Sequence, residues 1–299
     1  MEEGRLGKGV LDSVRRAALL PRRYGLRPER IRSRLREMSA ALRRFDITPT
    51  VPVTAITLDR HPSIAADLAG LDVAIHGYRH IAYSGRPAAS QARDLDAARA
   101  SFSRHGIESR GFRAPYLLAD ATTSRLLRER GFAFDSSTPH FVLPLDHPMA
   151  SDALRLATSR YGEIPKGPAN PELQDGLVEL PVALPDDEIL VDGLGITNPA
   201  TLGRVLDSML GAACSTGSLL VLQAHPERFH LLREAIESLL GQATDRGAWK
   251  ASLSEVAAWL SREGVRPLRW PEGHSWALSV SGDLDAVAID DFLQRAWRA

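Results

Sequence analysis

The chain has 299 residues, enough for one large α/β domain or two small ones with a substantial buried core. Lys+Arg and Asp+Glu balance at 37 each, which excludes a global field favouring nucleic acid or an anionic membrane. The single cysteine, Cys214, excludes an intramolecular disulfide framework and suits a reducing, cytoplasmic setting.

No apolar run approaches the length of a membrane-crossing helix. The segment Met1–Gly25 carries Arg15, Arg16, Arg22 and Arg23 around an apolar stretch too short and interrupted for a secretory signal. It reads as a basic amphipathic helix, so residues 1–26 form a helical extension. Packing on its own domain is the favoured reading, with weak membrane-surface contact as the other. Residues 27–299 read as one domain, and its oligomeric state is left open.

From there, strand-like apolar runs alternate with helical patterns. Arg27–Phe45 is predicted helical, Thr48–Thr57 a strand, Pro62–Leu68 a short helix and Asp72–Ile75 a strand. Ala88–Arg104 is a helix stopped at Gly106, followed by a strand near Ser109–Arg113, a helix over Ala121–Arg130 and a strand at Phe132–Asp135. Ser136–Gly176 reads as a long loop. Leu177–Val182 is a strand, Pro199–Ala213 a helix and Ser218–Gln223 a strand. Glu227–Leu240 and Leu253–Glu263 are helices, Trp276–Ser281 is the last strand and Val287–Trp297 the last helix. Cys214, near a helix end among small residues, reads as inert. Repeated β-α units imply a mostly parallel sheet with helices outside it, closing toward a barrel.

In such architectures functional groups gather at the carboxyl ends of strands. The strand Asp72–Ile75 ends in His76-Gly77-Tyr78-Arg79-His80, two imidazoles spaced to share one divalent ion if the chain turns helically there. It lacks the Glu after the first His that a zinc-protease helix requires. A second strand gives Gly111-Phe112-Arg113-Ala114-Pro115-Tyr116, a third runs into His225, and the last ends in Asp283-Leu284-Asp285. Each has a bland reading alone: a surface ion pair for Arg113, a helix cap for His225, a polar turn for the aspartates. Their common placement at strand ends points to one site.

The run from Asp46 to Ser137 resembles the polysaccharide deacetylases, the NodB-homology enzymes of carbohydrate esterase family four. The resemblance rests on Ile47–Val53, His61-Pro62, His76–His80, Phe112–Tyr116 and Gly131–Ser137 in order. Leu220–Pro226 resembles the family's late histidine motif and Ser252–Trp259 its closing helix. The fold it implies is a distorted, incomplete (β/α) barrel. The departure is at the front: the aspartate pair normally on the first strand has no match in Met1–Phe45, where Asp12 sits in a helical pattern. The pattern reappears as Ala277–Ala286, so the chain reads as a circular permutation. The last strand is expected beside Thr48–Thr57, in its own barrel or a neighbouring subunit's, placing Asp283 and Asp285 by the histidines.

The resemblance implies that His76, His80 and Asp285 bind one divalent metal ion, with zinc expected, in an enzyme that removes an N-acetyl group. Asp283 would be the general base, Arg113 would orient it, the Tyr116 backbone N–H would help bind the oxyanion, and His225 would be the general acid, with Asp186 or Asp187 beside it. The expected substrate is an intracellular N-acetylated sugar or sugar-containing small molecule. Other C–N hydrolysis (a cyclic amide or a formamide) and non-catalytic carbohydrate binding are the competing readings.

Overall fold

The computed structural model describes residues 24–291. The N-terminal extension and most of the last predicted helix lie outside the described residues. Helix α1 (Glu29–Arg43) buries Ile31, Leu35, Met38 and Leu42, one stripe at helical spacing. Strand β1 (Thr50–Val53) is shorter than expected: after Thr54 the chain turns into helix α2 (Ala55–Arg60). The backbone N–H groups of Ala55 and Ile56 donate to the carbonyls of Gly77 and Tyr78 rather than continuing the strand ladder. A 3-10 turn (Pro62–Ile64) and helix α3 (Ala65–Leu68) lead to β2 (Asp72–Ile75). Helix α4 (Ala88–Arg104), β3 (Gly111–Phe112), helix α5 (Ala121–Glu129) and β4 (Phe134–Asp135) follow as expected in type and order.

Two expectations are corrected in the middle of the chain. The stretch 136–176 is not a loop: it holds β5 (Pro139–Phe141), helix α6 (Ala150–Tyr161) and β6 (Glu172–Gln174). Leu177–Val182 is not one strand. Pro181 offers no N–H to a ladder, and the chain divides there into β7 (Leu177–Glu179) and β8 (Val182–Leu184), which pair with different neighbours. A turn of π-helix (Glu188–Gly193) follows, then helix α7 (Pro199–Thr216), β9 (Leu219–Gln223) and helix α8 (Phe229–Asp245). Cys214 lies in the last turn of α7, partly buried against the core. A short strand that the sequence reading missed, β10 (Ala248–Lys250), precedes helix α9 (Leu253–Glu263) and β11 (Trp276–Ser281).

The strands form a single sheet in the order β5-β8-β9-β11-β1-β2-β3-β4-β7-β6, with β10 paired to β11. All pairings are parallel except β6 with β7. The two ends of this path do not meet, so the curled sheet is an incomplete barrel.

Alternation along the strands sends side chains to two cores. Val73 and Ile75, Leu220 and Leu222, and Leu278 and Val280 join the large core with the helices. Ala74, Leu219, Val221 and Ala277 face the other way, onto Leu253, Val256, Ala257 and Leu260 of α9. That helix carries a complete capping box: the Ser252 hydroxyl accepts from the Glu255 N–H, and the Glu255 carboxylate accepts from the Ser252 N–H.

The C-terminal strand lies inside the chain's own sheet. Leu278 pairs with Leu220 and Ser281 with Gln223 on one side; on the other, Ser281 pairs with Thr50, and Leu284 bridges Val53. Gly282 makes this approach possible, because a Cβ there would stand 2.1 Å from the Ala224 carbonyl oxygen. Among the described residues no helix is long and apolar enough to cross a membrane.

Candidate active site

Four carboxyl-end segments converge. Beyond β11 the backbone stays extended, with Leu284 N–H donating to the Pro52 carbonyl, so Asp283 and Asp285 share one face while Leu284 enters the core. The Asp285 carbonyl accepts from the hydroxyls of Thr54 and Thr57, which fixes the end of the segment.

After β2 the chain does not turn helically. It bends at Gly77 (φ 75°), where a Cβ would crowd the Asp94 carboxylate at 3.0 Å. Asp94, on α4, accepts the N–H groups of Tyr78 and Arg79 and the Tyr83 hydroxyl. This carboxylate, missed by sequence reading, shapes the turn that carries His80. The rings of His76 and His80 stand 5.1 Å apart between centroids.

His76 is buried, and its Nδ1–H donates to the Arg113 carbonyl at 2.8 Å, which fixes the tautomer in favour of a lone pair on Nε2. Burial holds the ring below the ordinary imidazole range, against the pull of Asp283 and Asp285. Its Nε2 has no hydrogen-bond partner and lies 3.6 Å from Asp283 Oδ2. His80 Nε2 lies 3.3 Å from Asp285 Oδ2, about the donor–donor spacing of two tetrahedral ligands with bonds of ~2.0–2.1 Å. Among the described residues no group of three His, Cys, Asp or Glu side chains closes around a single point as a metal cage does. A neutral buried imidazole with an unused lone pair, next to a histidine–carboxylate pair, is nevertheless a donor set that fits a divalent cation.

Arg113 is wholly buried, and all three of its guanidinium nitrogens donate hydrogen bonds. Nη1 donates to Asp283 Oδ1 and to the Ser281 hydroxyl, both at 2.9 Å; Nε and Nη2 donate to the carbonyl and hydroxyl oxygens of Ser136. The other oxygen of Asp283 accepts from Gln223 Nε2 at 3.0 Å and lies 4.0 Å from His225 Nε2. Tyr116 has a left-handed backbone (φ 61°, ψ 12°), and its half-exposed ring stands edge-on to His80, 4.3 Å between centroids.

His225 does not cap α8, which begins at Phe229. Of the two candidate partners, Asp187 takes the histidine: its Oδ1 accepts Nδ1–H at 2.7 Å and its Oδ2 the backbone N–H at 2.8 Å. Asp186 accepts the Ile189 N–H instead. Burial pulls the His225 imidazole down, but the Asp187 charge and hydrogen bond override it and lift it to about 10. Arg228, in contact with Glu227 and Asp192, lies 3.9 Å from Asp187 and helps keep it ionised.

Sequence reading missed Gln223 and a second acidic pair behind Arg113. Asp135 and Glu179 stand opposite each other on β4 and β7. Burial lifts Asp135 to about 7 and Glu179 well above its ordinary range. A cleft of about 750 Å³ lies elsewhere, between Phe141–His147 and α7, and none of the candidate site residues lines it.

The fold and this cluster define an open parallel α/β barrel with histidines, aspartates and a buried arginine at its strand ends. Residues 28–134 match the family described as polysaccharide deacetylase. The matched residues include His76, His80, Arg113 and Tyr116 but end before His225 and the aspartate pair.

Among solved structures, a Mycobacterium smegmatis protein described as a polysaccharide deacetylase is 27% identical, with a TM-score of 0.60 and 82% of each chain covered. A Pseudomonas aeruginosa PAO1 protein described in the same way is 19% identical (TM-score 0.59; 77% of this chain and 73% of that one). The allantoinase PuuE is also 19% identical (TM-score 0.57; 77% and 72%) and, like the Pseudomonas protein, shows the shared fold. None of the curated proteins compared with the chain matches it.

Proposed function

We propose that this protein is a metal-dependent amide hydrolase that removes an N-acetyl group from an amino-sugar-containing small molecule. The observation that carries the reading is the setting of Asp283. Its carboxylate is anchored by buried Arg113 on one oxygen, and the other faces both His76 and His225. A base, an acid and a donor pair for a cation thus share one face of one sheet.

His76, His80 and Asp285 would hold the divalent ion, zinc being the ion their chemistry suits. When bound, the ion lowers the pKa of a water and polarises the amide carbonyl. Asp283 takes the proton of the attacking water. Arg113, fixed by the oxygens of Ser136 and Ser281, keeps that carboxylate oriented through a charge-assisted hydrogen bond. The Tyr116 backbone N–H, set by its left-handed conformation, donates to the developing oxyanion. His225 carries a proton on Nε2 because Asp187 holds Nδ1–H, and it delivers that proton to the departing nitrogen. Amine and acetate leave.

The chain is best read as a circular permutant of its family, with the Asp-x-Asp strand moved from first to last. In support, β11 sits between β9 and β1 and carries Asp283 and Asp285 to the histidines. The reading is tested on purified protein by metal content, then by acetate release across free, nucleotide-linked and lipid-linked N-acetylated sugars, followed by mass. Release of acetate that stops on chelation supports it. Cleavage of a cyclic amide or formamide with no acetate from any sugar would move the activity to another C–N bond, and metal-free protein with no turnover would leave a carbohydrate-binding role.

A further inference from the structure

Beyond β3 the chain bends into a turn from Pro115 to Leu118, closed by the Leu118 N–H on the Pro115 carbonyl at 3.2 Å. Both central residues are left-handed, Tyr116 at φ 61° and Leu117 at φ 56°. Two successive positive φ values are the pattern of a type I′ turn, which Gly, Asn and Asp ordinarily supply. Bulky side chains persist there only where the surrounding structure imposes the conformation. The outgoing end is tied down by the Leu118 carbonyl, which accepts the N–H groups of Tyr83 and Ser84 at 3.0 Å each. The incoming end is tied down at Ala114. Its carbonyl accepts the Leu117 N–H at 3.0 Å, and its own N–H donates to the Ser137 hydroxyl at 2.8 Å. Ser137 is buried, and the same hydroxyl donates to the carboxylate of Asp135, the last residue of β4. The hydroxyl is thus pinned, its hydrogen toward Asp135 and a lone pair toward Ala114.

From this arrangement, and resting on the reading above, we infer that Ser137 is a positioning residue. It holds the loop 114–118 in its left-handed form and so aims the Tyr116 backbone N–H at the developing oxyanion. The right-handed counterpart, a type I turn, suits Tyr and Leu better. Passing to that form would reverse the sign of φ at both residues and turn the Tyr116 amide away. Pro115 offers no N–H by which the loop could be fastened, so the hold falls on the residue before it. The two serines divide the task. Ser136 fixes the guanidinium of Arg113, which orients Asp283, and Ser137 fixes the backbone that follows Arg113. A donor already aimed stabilises the developing charge without reorganising during the reaction, which is the use of holding a strained turn here.

The experiment introduces Ser137→Ala into two backgrounds, the full-length metal-loaded protein and its Tyr116→Gly variant, and follows hydrolysis of an aryl acetate. Should Ser137→Ala not fold, Ser137→Cys, whose sulfur is a weak hydrogen-bond partner, takes its place. In the parent background kcat should fall about tenfold or more, with KM and bound metal held within about twofold. Ser137→Thr keeps the hydroxyl and should recover most of that loss. In the Tyr116→Gly background the same change should cost less than about threefold, because Gly enters positive φ without being held there. Equal losses in both backgrounds, or none in either, would overturn the positioning role. A crystal structure of Ser137→Ala gives a readout independent of turnover: φ at Tyr116 should turn negative, and a value still near 61° overturns the inference. If the parent protein hydrolyses neither amides nor aryl acetates, the deacetylase reading falls, while that backbone angle still decides the role of Ser137.

Discussion

Replacing Asp187 by Asn isolates the charge that keeps His225 protonated. The carboxylate is buried and bonded to both the ring and the backbone of His225. With it, the imidazole rises from its ordinary 6.5 to about 10; without it, burial is left as the leading influence and pushes the ring below 6.5. A raised folded-state value means that the folded chain holds the proton more tightly than the unfolded one. The associated stability is fully present below about pH 6.5 and is lost as pH rises toward about 10. At ~1.4 kcal/mol per pH unit the gap amounts to on the order of 5 kcal/mol. The variant should reverse the sign, gaining stability as pH rises toward about 6.5. Urea unfolding from about pH 5.5 to about pH 9, beside an NMR titration of the His225 ring carbon, measures both slopes. The parent ring should remain cationic at about pH 8 and the variant ring be neutral at about pH 7. Turnover of an amide at that pH should fall about a hundredfold, with partial recovery in acid. A parent ring that titrates near 6.5, or identical stability slopes in the two proteins, would refute the argument.

His76→Ala and Asp285→Ala should each lose the bound metal on dialysis, whereas Asp283→Asn should keep it and lose turnover; near-parental turnover in Asp283→Asn would remove it as the base. Gly282→Ala forces a Cβ to 2.1 Å from a backbone carbonyl, so it should cost ~3 kcal/mol or more in thermal unfolding, and an unchanged Tm would contradict the close packing of the last strand on β9. Asp135, lifted by burial to about 7, binds protons more tightly folded than unfolded, so parent stability should fall as pH rises from 3.8 toward 7. Asp135→Asn should flatten that slope by on the order of 1–3 kcal/mol across the window, checked by denaturant unfolding at its two ends.

The strand-end residues were legible because their chemistry is loud: His76, His225 and Asp283 follow apolar strands and Arg113 a short Gly-Phe strand, and their shared position needs no knowledge of side-chain geometry. Helix α6 was silent because its buried face is built on Ala150, Ala153 and Ala157, whose periodicity is faint beside that of leucines. The bend that carries His80 depends on Asp94, sixteen residues beyond Tyr78 and on another element. Choosing between Asp186 and Asp187 needed the start of the π-helical turn, which commits the first to a backbone N–H and frees the second for the ring. Gln223 closes an apolar run as a neutral residue, and its meaning appears only when a strand sixty residues downstream is laid beside it.

That downstream strand also explains why fold and chemistry depend on each other here. Without β11 the sheet order has no link between β9 and β1. One half, β5-β8-β9, carries Asp187, Gln223 and His225; the other, from β1 through β6, carries His76, His80 and Arg113. Asp283 sits on the seam, tied to Arg113 on one side and Gln223 on the other. A parallel strand presents its carboxyl end at the same place whether it comes first or last in the chain, provided the connections are long enough to reach. Moving it along the sequence therefore costs the site nothing. Moving it by one residue in register would turn Asp283 and Asp285 into the core and Leu284 toward the histidines. The constraint on this active site is the register of β11, not its order in the chain.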